Sequence, residues 1–323
     1  MLPDLIRFRP LLVERPWGGR RLSDLGRELP DGAVIGESWE LADLPAQDGA
    51  EERCTVVEAG ALEGLRPVDL IERYGPRFIG SAAPGPDGRL PLLVKTLDAR
   101  ENLSVQVHPP EAIADLDQSF RAKTESWYVL AATDDAKLWL DVRADVDTAT
   151  VSRHMSTSAI VDLLGEVPAS VGDFHHIPAG RVHALGAGTM VFEIQTPSDT
   201  TFRIYDWDDH YDRPPRELHP EQAMASIVRG DPAAFSVAAM GRHGRRTLVR
   251  TESYWLVEHR TDEGVISLDP RPELRVVMVV RGTIRTGDEE ISAGQVVVLP
   301  ASSSHIGDLE ADAQSVVLEA GLV

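Results

Sequence analysis

Apolar runs in this 323-residue chain are short and repeatedly cut by glycine, proline and polar turns. From residue 91 the chain reads PLLVKTLDA, LSVQVHP, SWYVLAA and AKLWLDV, then FHHIPA, HALGA, TMVFEIQ and TTFRIYDW. From about 245 the same texture returns in TLVRT, YWLVEHRT, VISLD, LRVVMVVRGTIRTG, EEISAGQVVVLPA and SVVLEAG. Such pieces are rich in β-branched and aromatic residues and are bounded by turn residues, so they read as strands. Many short strands joined by Gly/Pro turns close into a β-sandwich or barrel. Two blocks, near 91–207 and 245–323, therefore predict a mainly β protein with two small barrels, the first with helical additions.

The rest of the chain is read around those blocks. LRPVDLIERYGPRFI (65–79) predicts a short amphipathic helix broken at Gly75-Pro76. TVSRHMSTSAIVDLLGE (150–166) is the best helical stretch, and EQAMASIVRG (221–230) a shorter one. DDHYDRPPRELHPEQ (208–222), with three prolines and many charges, reads as a surface loop. The expected division is a first domain over 1–240, including the N-terminal segment and helical insertion, and a second β domain over 241–323.

The formal net charge of −20 argues against nucleic acid or an anionic membrane as a partner. A small anionic molecule is not excluded, since a site needs only a few local cations. No run of about 18 apolar residues spans a membrane, and MLPDLIRFRPLLVERPW carries charges where a signal peptide has its apolar region. The one cysteine, Cys54, precludes an intrachain disulfide and suits a reducing cytoplasm. Lysine stands at only three positions, 95, 123 and 137, in a chain otherwise reliant on arginine.

VGDFHHIPAGRVHALG (171–186) holds His175, His176 and His183 around a Gly-Pro-Gly turn. Upstream, Gln106 and His108 alternate onto one face of a strand, as do Lys123 and Glu125. Two imidazoles, a carboxylate and a carboxamide on neighbouring strands suit a mononuclear divalent-metal site with room for a substrate. The spacing Gly172-x5-Pro178-x-Gly180-x2-His183 resembles the second motif of the cupin superfamily of jelly-roll barrels. With Gln106-x-His108 and then Glu125, it resembles the type I mannose-6-phosphate isomerases, in their compact bacterial branch. ERPWGG (14–19), GESWELAD (36–43), PLLVKTLDARENLSVQVHP (91–109), KTESWYVL (123–130), IPAGRVHALGAG (177–188) and FEIQTPSDTTFRIYDWDD (192–209) all look like that family's blocks. The region after about 240 is similar only to a degenerate cupin, with GQVVVLPASSSH (294–305) echoing the second motif.

The resemblance implies one Zn2+ per chain, held by Gln106, His108, Glu125 and His183. It implies a cytoplasmic enzyme that interconverts mannose 6-phosphate and fructose 6-phosphate through a cis-enediol. Glu193 or a zinc-held water is expected to move the proton, Arg203 to meet enediolate or phosphate charge, and Lys123 to meet substrate oxygens. Lys95 and Ser104 are expected to bind substrate in the same cavity. Of His175 and His176, neither falls on a ligand position; His154, His210, His219, His243, His259 and His305 are expected at the surface. Lys137 is expected on a solvated face and Cys54 to be structural. Trp17 and Trp39 are expected either to line the cavity or to pack the N-terminal segment against the barrel. The same chemistry on another, unphosphorylated sugar, and a catalytically silent sugar-binding protein, remain alternatives, as do a monomer and a homodimer.

Overall fold

The computed structural model of the chain describes residues 2–323 apart from 47–50, 118, 230–235, 242, 263 and 269. Its strands pair antiparallel throughout and stack as two-sheet barrels, as the turn-punctuated pattern implies. In the first barrel one sheet has five strands, in the order Leu164–Pro168, Lys137–Val142, His183–Leu185, Val105–Val107, Phe202–Tyr205. The facing sheet has seven: Ser236–Val237, Phe174–Ile177, Glu125–Ala131, Met190–Gln195, Leu93–Asp98, Ile35–Leu41 and Leu11–Gly19. The second barrel packs a five-stranded sheet, containing Tyr254–Thr261, Arg275–Arg281 and Ser315–Leu322, against a four-stranded one.

The N-terminal segment is part of the first barrel, which the short apolar pieces of residues 1–90 did not reveal. Leu11–Gly19 and Ile35–Leu41 extend the seven-stranded sheet, with Trp39 opposite Lys95. The glycines of ERPWGG and GESWELAD answer each other here. A Cβ on Gly18 would lie 2.4 Å from the backbone nitrogen of Gly36, so the two segments approach more closely than side chains permit.

The expected helix over 150–166 divides. Thr148–His154 is helical and Ser158–Leu163 is a 3-10 turn, while Leu164–Pro168 becomes a strand beside Lys137–Val142. Ser156, at φ 63°, breaks the run, and its N–H bonds the carbonyl of Ile204. Sheet pairing here outweighs the helical spacing. The helix Pro220–Ser226 forms where the sequence placed it; residue 230 of that segment lies outside the described residues. With the 148–163 segment it covers the outer face of the five-stranded sheet, over Val105, Val107, Phe202 and Ile204.

The seven-stranded sheet is buried on both faces. Inward, Leu97, Val129 and Val191 meet Leu138, Leu140 and Leu185 inside the barrel. Outward, Val94, Tyr128, Phe192 and Ile194 pack on Leu256, Val276, Met278 and Leu318 of the second barrel. The strand Arg275–Arg281 is likewise two-sided, because Val277 and Val279 enter the second barrel's own core. That is why RVVMVVR is apolar without alternation. Met278 is fully buried in the shared core. Met278→Ala should therefore cost about 2–5 kcal/mol, and the two barrels should unfold in one transition. Urea denaturation followed by fluorescence and circular dichroism checks both; two separated transitions would show the barrels to be independent.

Candidate functional site

The barrel interior is apolar at one end and polar at the other. At the polar end, Gln106 lies directly opposite His183 on one side and Arg203 on the other, all in the five-stranded sheet. Glu125 belongs to the facing sheet, opposite Ile177 and Gln195. The carboxylate thus crosses the barrel to reach the imidazoles. The turn before His183 is tied to the other histidine, since Gly180, at φ +84°, donates its N–H to the carbonyl of His108 at 2.8 Å. A Cβ there would also press on Val228 at 2.7 Å, so both conformation and space call for glycine.

His108 Nδ1 lies 2.9 Å from the carbonyl of Thr200, and His183 Nδ1 lies 2.9 Å from that of Arg181. A carbonyl can only accept, so each Nδ1 carries a proton, which leaves Nε2 as the ring atom available to a metal. Those Nε2 atoms stand 3.2 and 3.1 Å from the two oxygens of Glu125. All three side chains are buried, and their ligating atoms lie within 4.8 Å of one another. Lys123 Nζ sits 2.8 Å from Glu125 Oε2, whereas His108 Nε2 and Glu125 Oε1 have no hydrogen-bond partner among the described residues. Burial, then the charge of Lys123, brings His108 down to about 3, so the ring is neutral. Buried lone pairs converging without protons between them fit a divalent cation. Gln106 Nε2 lies 3.1 Å from His183 Nε2, and Ser104 donates to Gln106 Oε1 at 2.9 Å. Exchanging the amide's ends turns its oxygen toward the imidazoles and its NH2 toward Ser104.

A cavity of about 250 Å³ opens beside this set, with Ser104, Gln106 and Lys123 in its wall. Across the seven-stranded sheet Trp39, Lys95, Glu193 and Trp127 form one row of direct cross-strand partners, and all four are buried. Trp127 Nε1 donates to Glu193 Oε2 at 2.8 Å; Oε1 has no hydrogen bond among the described residues and lies 3.7 Å from Lys95 Nζ. Burial, then the charge of Glu125, raises the Glu193 carboxyl above its ordinary value. Burial would lower Lys123, but Glu125 and Glu193 outweigh it and hold the ammonium protonated. Arg203 reaches the cavity from the facing sheet; burial, then the nearby Arg216, pushes its guanidinium down. The six expected site residues other than His108, Glu125 and His183, namely Lys95, Ser104, Gln106, Lys123, Glu193 and Arg203, all line the cavity.

Other groups in the wall escaped the sequence reading. Arg15 donates to Glu37 Oε1 at 2.5 Å and Trp39 Nε1 to Glu37 Oε2 at 2.6 Å, with Lys95 Nζ 3.5 Å from the same Oε2. Asp199 lies between Arg53, at 2.5 Å, and Lys95, at 3.9 Å. Trp17 and Trp127 line the cavity, whereas Trp39 is wholly buried behind it, 4.6 Å beneath the Lys95 ammonium. The alternation Glu37-x-Trp39 within GESWELAD was the available signal. Arg216 comes from the 208–222 segment, whose charge obscured any inward-facing residue.

The remaining histidines divide. His175 hydrogen-bonds Ser236 and His176 hydrogen-bonds Ser126, and neither belongs to the His108, Glu125 and His183 group. His210, His243 and His305 are exposed, and His154 and His219 half-buried. His259 corrects the expectation of a surface position. It is buried 3.0 Å from Glu319, because its strand is covered on both faces. Lys137 is half exposed and paired with Glu166. Cys54 donates to Asp43, and burial with that carboxylate pushes its thiol up to about 12, which leaves no thiolate.

Residues 5–137 match the family profile described as phosphomannose isomerase type I, catalytic domain. The chain is 32% identical over 305 residues to a mannose-6-phosphate isomerase of Streptococcus mutans, covering 91% of this chain and 92% of that one. Its fold matches the crystal structure of a mannose 6-phosphate isomerase from Bacillus subtilis with a TM-score of 0.76 at 24% identity, over 98% of this chain and 99% of that one. It also matches a mannose 6-phosphate isomerase bound with zinc and yttrium, with a TM-score of 0.77 at 14% identity, over 99% and 100%.

Glu37 generates a test of the wall's electrostatics. Burial would raise its carboxyl, but Lys95, Arg15 and the Trp39 N–H together hold it well below the ordinary value. A depressed folded value means that the unfolded chain binds the proton first as pH falls. The contribution is complete above the ordinary carboxylate value of about 4.3 and declines below it. The stability advantage of wild type over Glu37→Gln should be full at neutral pH and shrink below that value. Urea denaturation across a pH series measures this, and a difference that does not change with pH would contradict it.

Proposed function

The chain belongs to the type I phosphomannose isomerases, and from that premise we propose that it interconverts mannose 6-phosphate and fructose 6-phosphate in the cavity beside His108, Glu125 and His183. The reading rests most heavily on one observation. Glu193, whose Oε1 has no hydrogen bond among the described residues, borders the same cavity as Gln106, 3.1 Å from His183 Nε2, and Lys123, 2.8 Å from Glu125 Oε2. The reaction moves a proton between C2 and C1 of the sugar by way of a cis-enediol, so it needs a base beside a group that tolerates negative charge on oxygen.

In this proposal one Zn2+ per chain is held by His108, Glu125, His183 and the amide oxygen of Gln106, a donor set suited to that ion. When bound, the ion supplies Lewis acidity to the sugar oxygens on the two carbons that exchange the proton. Everything else falls to side chains of the protein. Glu193 Oε1 accepts the carbon-bound proton and returns it to the neighbouring carbon, while the hydroxyl proton passes between the two adjacent sugar oxygens. Trp127 fixes the carboxylate through Oε2, which leaves Oε1 as the reacting atom. The raised value of Glu193 brings it closer to the working pH of a general base. Lys123, protonated and buried, donates to sugar oxygens. Lys95 holds the Glu193 side of the cavity positive, and Ser104 meets the sugar while orienting Gln106. Arg203 compensates charge that develops on the substrate. The cytoplasm is the proposed location.

Purified protein should interconvert the two sugar phosphates in a coupled assay, lose activity to a chelator and regain it with zinc. Absence of interconversion in zinc-replete protein would refute the assignment. Glu125→Ala should release the metal, read by elemental analysis; full zinc content in that variant would remove Glu125 from the ligand set. Glu193→Gln should keep its metal and its KM within a few-fold while kcat falls by about 10²–10⁴. A kcat close to wild type would move the proton transfer to another group.

A further inference from the structure

The imidazole of His183 is oriented by its own chain, since its Nδ1 lies 2.9 Å from the carbonyl of Arg181, two residues earlier. Such a carbonyl holds a ring only as firmly as its own peptide is held. The Arg181 peptide belongs to the turn that leads into His183–Leu185, and a single residue of the neighbouring strand Lys137–Val142 contacts it twice. Arg181 donates Nη1 to Asp141 Oδ2 at 2.6 Å, and the Asp141 N–H donates to the carbonyl of Val182 at 2.6 Å. The peptide that carries the Arg181 carbonyl lies between the two groups that Asp141 holds.

Asp141 adopts a conformation that its surroundings must maintain. It is buried, and its φ of 63° falls in the left-handed region that disfavours a side chain. It sits at a bulge, because Leu140 is opposite Gly165 and Val142 is opposite Leu164, which leaves Asp141 without a counterpart on Leu164–Pro168. Its other neighbouring strand is the one that bears the ligand, with Leu140 directly opposite His183. Asp141 Oδ1 accepts the N–H of Val142 at 2.8 Å, and Oδ2 is given to Arg181. A bulge re-aims the side chain it carries. Here that side chain is a buried carboxylate directed at the residue whose carbonyl meets His183.

The rest of the turn is fixed from elsewhere. Gly180 donates its N–H to the carbonyl of His108, Arg181 to that of Pro178, and Val228 to that of Gly180. Arg181 Nη1 also reaches the carbonyl of Val228 at 3.3 Å. These bonds secure the approach to the turn, while Asp141 secures its exit into the ligand strand.

We propose that Asp141 is a positioning residue for the metal site, acting through Arg181 to fix the carbonyl that keeps the His183 proton on Nδ1 and its Nε2 turned toward Glu125. Partners that orient a ligating imidazole set the affinity of the site for its ion. This role rests on the metal-holding reading under Proposed function; Asp141 itself touches neither ion nor sugar.

The test uses the full chain, with zinc affinity measured by chelator competition and ligand arrangement read from the visible spectrum of the cobalt-loaded protein. Asp141→Asn keeps an acceptor for the Val142 N–H and a residue tolerant of positive φ, yet loses the charge that holds Arg181. It should weaken zinc binding by about 10- to 100-fold and alter the cobalt spectrum. Arg181→Ala should do the same, with the double variant little weaker than either single one, and Arg181→Lys should recover part of the loss. Should Asp141→Asn fold poorly, Asp141→Gly accommodates the φ of 63° without strain and is expected to show the same weakening. Zinc affinity and a cobalt spectrum unchanged in folded Asp141 and Arg181 variants overturn the proposal, even if their melting temperatures fall, because the pair then serves stability alone. Wild-type protein that binds neither ion overturns the metal reading instead. Nitrogen-15 spectra of metal-free protein then still decide the role of Asp141: the His183 proton should reside on Nδ1 in wild type and lose that preference in Asp141→Asn, and an unchanged tautomer overturns the proposal.

Discussion

The strand Glu125–Ala131 is buried on both faces, and each face does something different. Toward the first barrel it presents Glu125, whose oxygens meet His108 and His183, and Trp127, which holds Glu193. Toward the second barrel it presents Ser126, 2.9 Å from Tyr254 Oη, and Tyr128, which donates to Glu258 at 2.6 Å. Glu258 is in turn gripped by Arg246 and Arg260. A period of two residues makes this division unavoidable. Moving the strand against either neighbour would disturb a buried ionic group on one side and a packed interface on the other, so the second barrel braces the wall that carries the site.

Buried charge is costly unless it is paired, and the cavity meets that cost through sharing. Glu37 serves Arg15, Lys95 and Trp39, and Asp199 serves Lys95 and Arg53. The two buried lysines each lie within reach of a carboxylate the proposed mechanism uses, Lys123 beside Glu125 and Lys95 beside Glu193. A chain of net charge −20 thereby keeps a locally cationic cavity for an anionic sugar. The third lysine, Lys137, stands half exposed on the outside.

How much was legible varied with the range of the interaction. Gln106 and His108 could be placed on one face from their alternation, and His183 could be singled out from its turn. Neither signal depends on contacts far along the chain. The helical reading of 150–166 failed after Ser156, because a strand partner at Lys137–Val142 claims residues whose spacing also suits a helix. His259 was misplaced because nothing local distinguishes a strand with one covered face from a strand with two. Arg15, Glu37 and Arg216 belong to segments whose local texture is that of an edge piece or a loop.

The sequence by itself determined the mainly β character, the two blocks of strands, and a Gln-x-His, Glu and turn-borne His in the order of a known family. These follow from periodicity, turn chemistry and motif spacing, all carried by residues near one another in the chain. Only the tertiary structure decided that Glu125 faces the imidazoles across the barrel and that residues 11–41 close its wall. It likewise decided that Arg216 reaches the cavity from a proline-rich loop and that the second barrel supports the Glu125 strand. Each of these depends on which sheets pack and in what register, and register is set by the burial of whole faces rather than by any residue's immediate neighbours.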